Sequence, residues 1–161
     1  MSEVPPLLRH VLSTLAYRAS RVVLDVPAGF ADVSVGHGSS SAGTILAHVG
    51  DVLDWAESMA RGAEAWARHP ATSWEADVER LHAALGRLDA RLSAGQAPAC
   101  AAERLLQGPL ADALTHVGQL ALLRRVAGAP VPGENFFVAD VAAGRVGPEQ
   151  AAPVFPLPPR R

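Results

Sequence analysis

The sequence predicts an all-α protein: a four-helix bundle with at least one long crossover connection and an extended C-terminal tail. Apolar residues recur at steps of three and four in four separate segments, the period of helices that bury one face. Residues that start and stop helices bracket those segments. Alternation of period two is confined to Val22 to Val26 and Val33 to Val35, and Pro27, Gly29, Gly36 and Gly38 break it up. That is too little strand for a sheet.

The first helix is predicted from about Pro5 to Ser20, with Leu8, Val11, Leu12, Leu15 and Ala19 on one stripe. Its leading prolines suit a helix start, where the missing N–H has no partner to lose. The second runs from about Ala42 to Arg61 on Ile45, Val49, Val52, Ala56 and Met59, with the serines at 39–41 as candidate N-caps. The third, Trp74 to Ser93, has the cleanest seam in Val78, Leu81, Leu85, Leu88 and Leu92. Thr72 and Glu75 read as its capping box. The fourth is predicted from near Pro109 to Val126. Arg124 and Arg125 complement its C-terminal dipole, and Gly128 and Pro130 end it.

A short helix around Ala101 to Leu106 is expected in the third connection. The residues after Pro130, including Phe136 and Phe137, are expected as a tail packed over the helices, loose at its proline-rich end. With 161 residues the chain is read as one domain, 1–161, its bundle at about 5–130 and its tail at about 131–161. Amphipathic helices of this length bury their faces most simply against one another. The long first and third connections argue against short hairpins throughout.

Composition excludes several classes. Fourteen basic and sixteen acidic residues give a net charge of −2, without the clustered basic excess of a nucleic-acid binder. No apolar run is long enough to span a bilayer, and the N-terminus lacks a signal-peptide pattern, so a cytoplasmic location is expected. The single cysteine, Cys100, rules out an intramolecular disulfide. It lies in an Ala-rich stretch with Arg104 as its nearest basic neighbour, which points to an unreactive thiol. Phosphate-loop and nucleophile-elbow patterns do not occur.

The informative positions are ionisable residues on apolar stripes. His48 falls on the stripe of Ile45, Val52, Trp55 and Met59 and is aimed near the core. Asp112 and His116 are four apart, which on a helix turns them about 40° and separates them by about 6 Å along the axis. They share a face, and His48 is the natural third ligand. Two imidazoles and a carboxylate suit a divalent Zn, Ni, Fe or Mn ion and leave coordination positions open, as in catalytic sites. Spacing alone is a weak signal, fitting more often a core or boundary histidine and an acid favouring a helix N-terminus.

Two stretches carry a resemblance. Ile45-Leu46-Ala47-His48-Val49-Gly50-Asp51-Val52-Leu53-Asp54-Trp55 resembles the second helix of the DinB/YfiT-like superfamily. Asp112-Ala113-Leu114-Thr115-His116-Val117-Gly118-Gln119-Leu120, with Leu123-Arg124-Arg125 and Gly128, resembles its fourth. The resemblance covers about residues 5–130. It implies a four-helix bundle with a crossover, often a homodimer, holding a divalent metal through one residue of the second helix and two of the fourth. His48 matches the first ligand and His116 the last, while Asp112 stands where the family usually has histidine. A carboxylate there shifts preference toward Fe or Mn and raises the pKa of a coordinated water relative to three neutral ligands.

The resemblance implies a metal-dependent enzyme acting on a small molecule, a transferase using a low-molecular-weight thiol or a hydrolase. The alternative is a non-catalytic metal-stabilised binding or stress-response protein. The ligand set also matches iron oxygenases, whose usual scaffold is a β-barrel. Gln119 is read as a partner for a metal-bound water or as a helix-packing amide. Asp51 is read as an acceptor for an imidazole or as part of a solvated face. His10 is a candidate for the same cavity, and His37, His69 and His82 are expected to be exposed.

Overall fold

A computed structural model of the chain describes residues 4–154, and side chains from residue 6 onward. It is all-helical, with no β-strand among the described residues. Four long helices, α1 (Val4–Val23), α2 (Ala42–Arg61), α3 (Trp74–Ser93) and α5 (Ala111–Val126), are joined by irregular connections, the third holding the short α4 (Ala102–Leu105). Each long helix packs against two others. Both α1 and α2 lie against α3 and α5, whereas α1 and α2 make little or no contact with each other, and neither do α3 and α5. The connections 24–41 and 94–110 therefore both cross the assembly, where the sequence predicts at least one crossover. No described helix is long and apolar enough to cross a membrane.

The predicted stripes form the core. Leu8, Leu12 and Leu15 of α1, Val49, Val52 and Ala56 of α2, Leu81, Leu85 and Leu88 of α3, and Val117 and Leu120 of α5 are all buried. Each such leucine or valine side chain contributes about 1.5–3 kcal/mol on leaving water. Ser41 caps α2, its Oγ accepting from Thr44 N–H at 3.3 Å. The cap of α3 is Ser73, whose Oγ accepts from Ala76 N–H at 3.2 Å, and not Thr72. Thr72 instead donates through its backbone and hydroxyl to the buried Asp77 carboxylate, each at 3.0 Å, which draws it away from the capping position.

Residues 24–41 hold no strand: Val22 and Val23 complete α1, and Phe30–Asp32 form a 3-10 turn. Phe30 is buried edge-on to Trp74, whose indole N–H donates to Val23 O at 2.9 Å. Pro109 does not start the fourth long helix. It lies within a π-helical turn, Leu106–Leu110, that carries the chain from α4 into α5. Proline has no N–H for an α-helical bond, and its ring crowds the carbonyl four residues back, so a widened turn accommodates it.

At the other end, Arg124 is buried and donates to Ala129 O, Val22 O and Leu24 O, serving carbonyls at the ends of both α5 and α1.

The tail follows α1. Tyr17 donates to Glu134 at 2.6 Å and accepts from Arg21. Phe136 stacks edge-on against Tyr17 beneath the Arg18 guanidinium, and Arg21 reaches Ala151 O. Gly144, at φ +93°, passes so close to Arg9 that a Cβ would lie 2.9 Å from its guanidinium. Phe137, by contrast, is 95% exposed. The end expected to be loose lies, from residue 155 on, outside the described residues.

Candidate metal centre

The three sequence-predicted ligands come together where α2 meets α5. On α2 the core side is taken by Ile45, Val49 and Val52, which leaves His48 at its margin with its side chain 31% exposed. On α5, Ala113, Val117 and Leu120 fill the core, and Asp112 and His116 rise along the adjoining edge. His116 Nε2 stands 3.4 Å from Asp112 Oδ1, and His48 Nε2 stands 3.8 Å from Asp112 Oδ2. The two imidazoles meet edge to face, with centroids 4.8 Å apart. One donor atom from each residue falls within 4.8 Å of the others.

The location differs from the sequence expectation in one respect. Asp112 is 48% exposed, so the triad lines a groove at the helix margin and does not lie inside the core. The cost of a buried, unpaired carboxylate therefore does not bear on Asp112. The groove broadens into a cleft of about 480 Å³ lined by Val35, Ser39, Ser40, Thr44, Ile45, Arg68, Gln119, Leu122 and Leu123 beside His48 and His116.

The residues present fit a cation. Two donors at about 2.1 Å from a common ion lie about 3.0–3.4 Å apart, depending on geometry. The 3.4 Å pair meets that spacing, and the 3.8 Å pair reaches it with a small closure. Neither distance makes a hydrogen bond of the pair. His48 Nδ1 is buried with no hydrogen-bond partner among the described residues, and Nε2 has only the 3.8 Å approach to Asp112, so neither ring nitrogen is satisfied by a described residue.

His116 is better served. Its Nδ1 lies 2.8 Å from Gln119 Oε1, and since a carbonyl oxygen only accepts, Nδ1 carries the proton and Nε2 presents its lone pair toward Asp112. Gln119 thus holds an imidazole, where the sequence alone points to a metal-bound water or to helix packing.

No family model, curated protein or solved structure matches the chain significantly. The DinB/YfiT-like resemblance rests on the residues that carry it.

Sequence reasoning missed the wall of the site formed by residues 62–73, the irregular segment between α2 and α3. Trp66 packs edge-on against both His48 and Trp55. Ala65 donates its N–H to Ser58 Oγ at 3.1 Å. His69 donates to Asp51 through its backbone N–H at 3.2 Å and through Nδ1 at 2.7 Å. Asp51 is therefore an acceptor for an imidazole, but for that of His69, and it is buried, not part of a solvated face.

Arg80 of α3 completes this anchor, with Nη2 2.6 Å from Asp51 and 2.7 Å from Asp54. It crosses α2 at Gly50, where a Cβ would come within 3.0 Å of the guanidinium. Burial alone would raise the Asp51 carboxyl, but the hydrogen bonds from Arg80 and His69 outweigh it and hold the pKa below the usual carboxylate value. A sequence signal existed in Asp51 and Asp54, which flank the buried Val52 and Leu53 and face a helix carrying Arg80 and Arg87. Nothing in periodicity placed Trp66, Arg68 or His69.

Position also bears on the remaining histidines and on Cys100. His82 is buried, not exposed: its Nδ1 donates to Val78 O and its Nε2 accepts from Ser20 Oγ, each at 3.0 Å. It faces α1 because the α3 seam is broad enough to take in a polar pair. His10 is exposed and lines none of the clefts at the triad, whereas His37 is exposed as expected. Cys100 is half-buried, and burial together with the Glu64 carboxylate pushes its thiol pKa up, in keeping with an unreactive thiol.

Proposed function

We propose that this chain is a four-helix bundle of DinB/YfiT-like type that holds a divalent transition metal through His48, Asp112 and His116. We further propose that it acts as a metal-dependent enzyme on a small molecule, either as a thiol-dependent transferase or as a hydrolase. The observation that carries the reading is the convergence of two imidazoles and a carboxylate within 4.8 Å, the two imidazoles on the wall of a concave, largely apolar cleft and the Asp112 carboxylate beside it. Such a pocket, with a few convergent polar groups, is the usual form of a small-molecule site.

A metal bound there supplies Lewis acidity, which lowers the pKa of a coordinated thiol or water. The chain's own residues do the rest. Gln119 holds the His116 proton on Nδ1, Asp112 contributes the negative charge, and Ile45, Leu122 and Leu123 give the cleft an apolar wall that excludes water from part of it. Three protein ligands leave positions open for substrate, as catalytic sites do and closed structural sites do not.

The same triad also ties α2 to α5, which favours the second reading, a metal that mainly staples the helices. Metal content and melting temperature separate the two. Purified protein should hold close to one equivalent of divalent metal, and His48→Ala and His116→Ala should each lose it. An enzyme-like site changes the melting temperature modestly on chelation, and a staple lowers it steeply in proportion to metal affinity. If the wild-type protein holds no divalent metal under any loading condition, the metal-dependent function is wrong.

A further inference from the structure

We infer that the cleft beside the triad selects small organic anions, molecules with an apolar body and a terminal carboxylate, and that Arg68 is the residue that reads the charge. The inference rests on the proposed function of the same site and specifies its substrate class. Arg68 lines the 480 Å³ cleft and also a second recess of about 460 Å³, and the two share Thr44 and His48 in their walls. Among the described residues it is the only lysine or arginine in either wall.

Among the described residues it has no hydrogen bond and no carboxylate partner, whereas Arg80 and Arg87 nearby are both engaged. The Asp51 carboxylate in the second recess is already taken by Arg80 and His69, so the Arg68 charge is left uncompensated. A guanidinium in that state offers a planar fork suited to a carboxylate.

Its side chain is exposed, but its backbone is held by its neighbours. Trp66 is packed on His48 and Trp55, and His69 is bonded twice to Asp51, so Arg68 is carried between two anchored residues. The remaining polar groups of the first cleft are neutral hydroxyls and an amide, and its apolar wall includes Leu122, itself 51% exposed. An anion held by Arg68 would lay its apolar portion along that wall, with its far end toward His48 and His116.

The test compares hexanoate with hexanamide, titrated calorimetrically into the metal-free full-length protein, so that a carboxylate cannot gain from a metal. Hexanoate should bind about tenfold more tightly than the amide. Arg68→Gln should abolish the difference and Arg68→Lys should keep part of it. Arg125→Gln, at an exposed arginine outside both recesses, should leave it unchanged. Absent hexanoate binding, equal binding of acid and amide, a preference that survives Arg68→Gln, or one that Arg125→Gln also removes would each overturn the inference. Zinc content, measured separately on wild type and Arg68→Gln, keeps the two ideas apart. Zinc binding without acid preference defeats the anion subsite alone, and acid preference without zinc binding defeats the metal centre alone.

Discussion

Gln119 accepts the Nδ1 proton of His116 from one turn further along α5, at 2.8 Å, and thereby determines which ring nitrogen faces Asp112. Partners of this kind orient metal-ligating histidines, and their loss typically weakens metal affinity 10–100-fold. Gln119→Leu should therefore weaken zinc binding by about one to two orders of magnitude, read by competition with a chromogenic chelator. Gln119→Glu should hold affinity near the wild-type level. Equal affinities for wild type and the leucine variant would show that the amide plays no orienting part.

Asp112 is exposed on its helix, so truncating it should disturb the metal far more than the fold. Asp112→Ala should change metal-free stability by no more than about 0.5 kcal/mol, the usual range for surface substitutions, while abolishing tight metal binding. Asp112→His should keep binding and shift preference toward Zn and Ni over Fe and Mn, because imidazole is the softer donor. Loading each variant with an equimolar metal mixture and measuring what it retains after gel filtration decides the point.

The contrast between these ligands and their surroundings marks how far the sequence could be read. The four long helices follow from periodicity because each stripe repeats over many turns, so local errors average out. Where one residue's competing bond decides the outcome, the pattern is silent. Thr72 leaves the capping position to Ser73 because Asp77 offers it two acceptors. Pro109 is absorbed in a π turn because α4 already leads the chain into a helix. The triad was legible because a four-residue step on one helix has fixed geometry. Its exposure was not, because the margin of a helix face depends on how its neighbours pack. Trp66, Arg68 and His69 lie in irregular backbone with no period to read, and only the buried Asp51 that tethers them explains their place.

His82 is the buried histidine whose titration should be visible in stability. Burial lowers its pKa from the ordinary 6.5, against a smaller opposing effect of the hydrogen bond to Val78 O. As pH falls, the unfolded chain takes up this proton before the folded one does, so stability is unaffected above the ordinary value and declines below it toward the folded pKa. Melting temperatures between pH 8 and pH 5 should drop more for wild type than for His82→Asn. Parallel profiles would mean that His82 is free to protonate in the folded state.

Asp51 joins fold and site, and its replacement should affect both. Its side chain is 1% exposed and receives Arg80 from α3 and His69 from the segment over the candidate metal centre. Asp51→Asn keeps the shape but removes the charge that both partners face. Breaking a buried pair costs about 3–5 kcal/mol, and the lower end is expected here because Arg80 retains Asp54. The depressed carboxyl pKa means that this stabilisation is present above the ordinary carboxylate range and is lost only as pH falls through the folded value. With the tether gone, amides of residues 63–71 should exchange faster with deuterium, while those of α1, which Asp51 does not touch, stay protected relative to the new global stability. Uniform acceleration across the whole chain would show that Asp51 supports the fold as a unit and does not specifically hold Trp66 and Arg68 against His48.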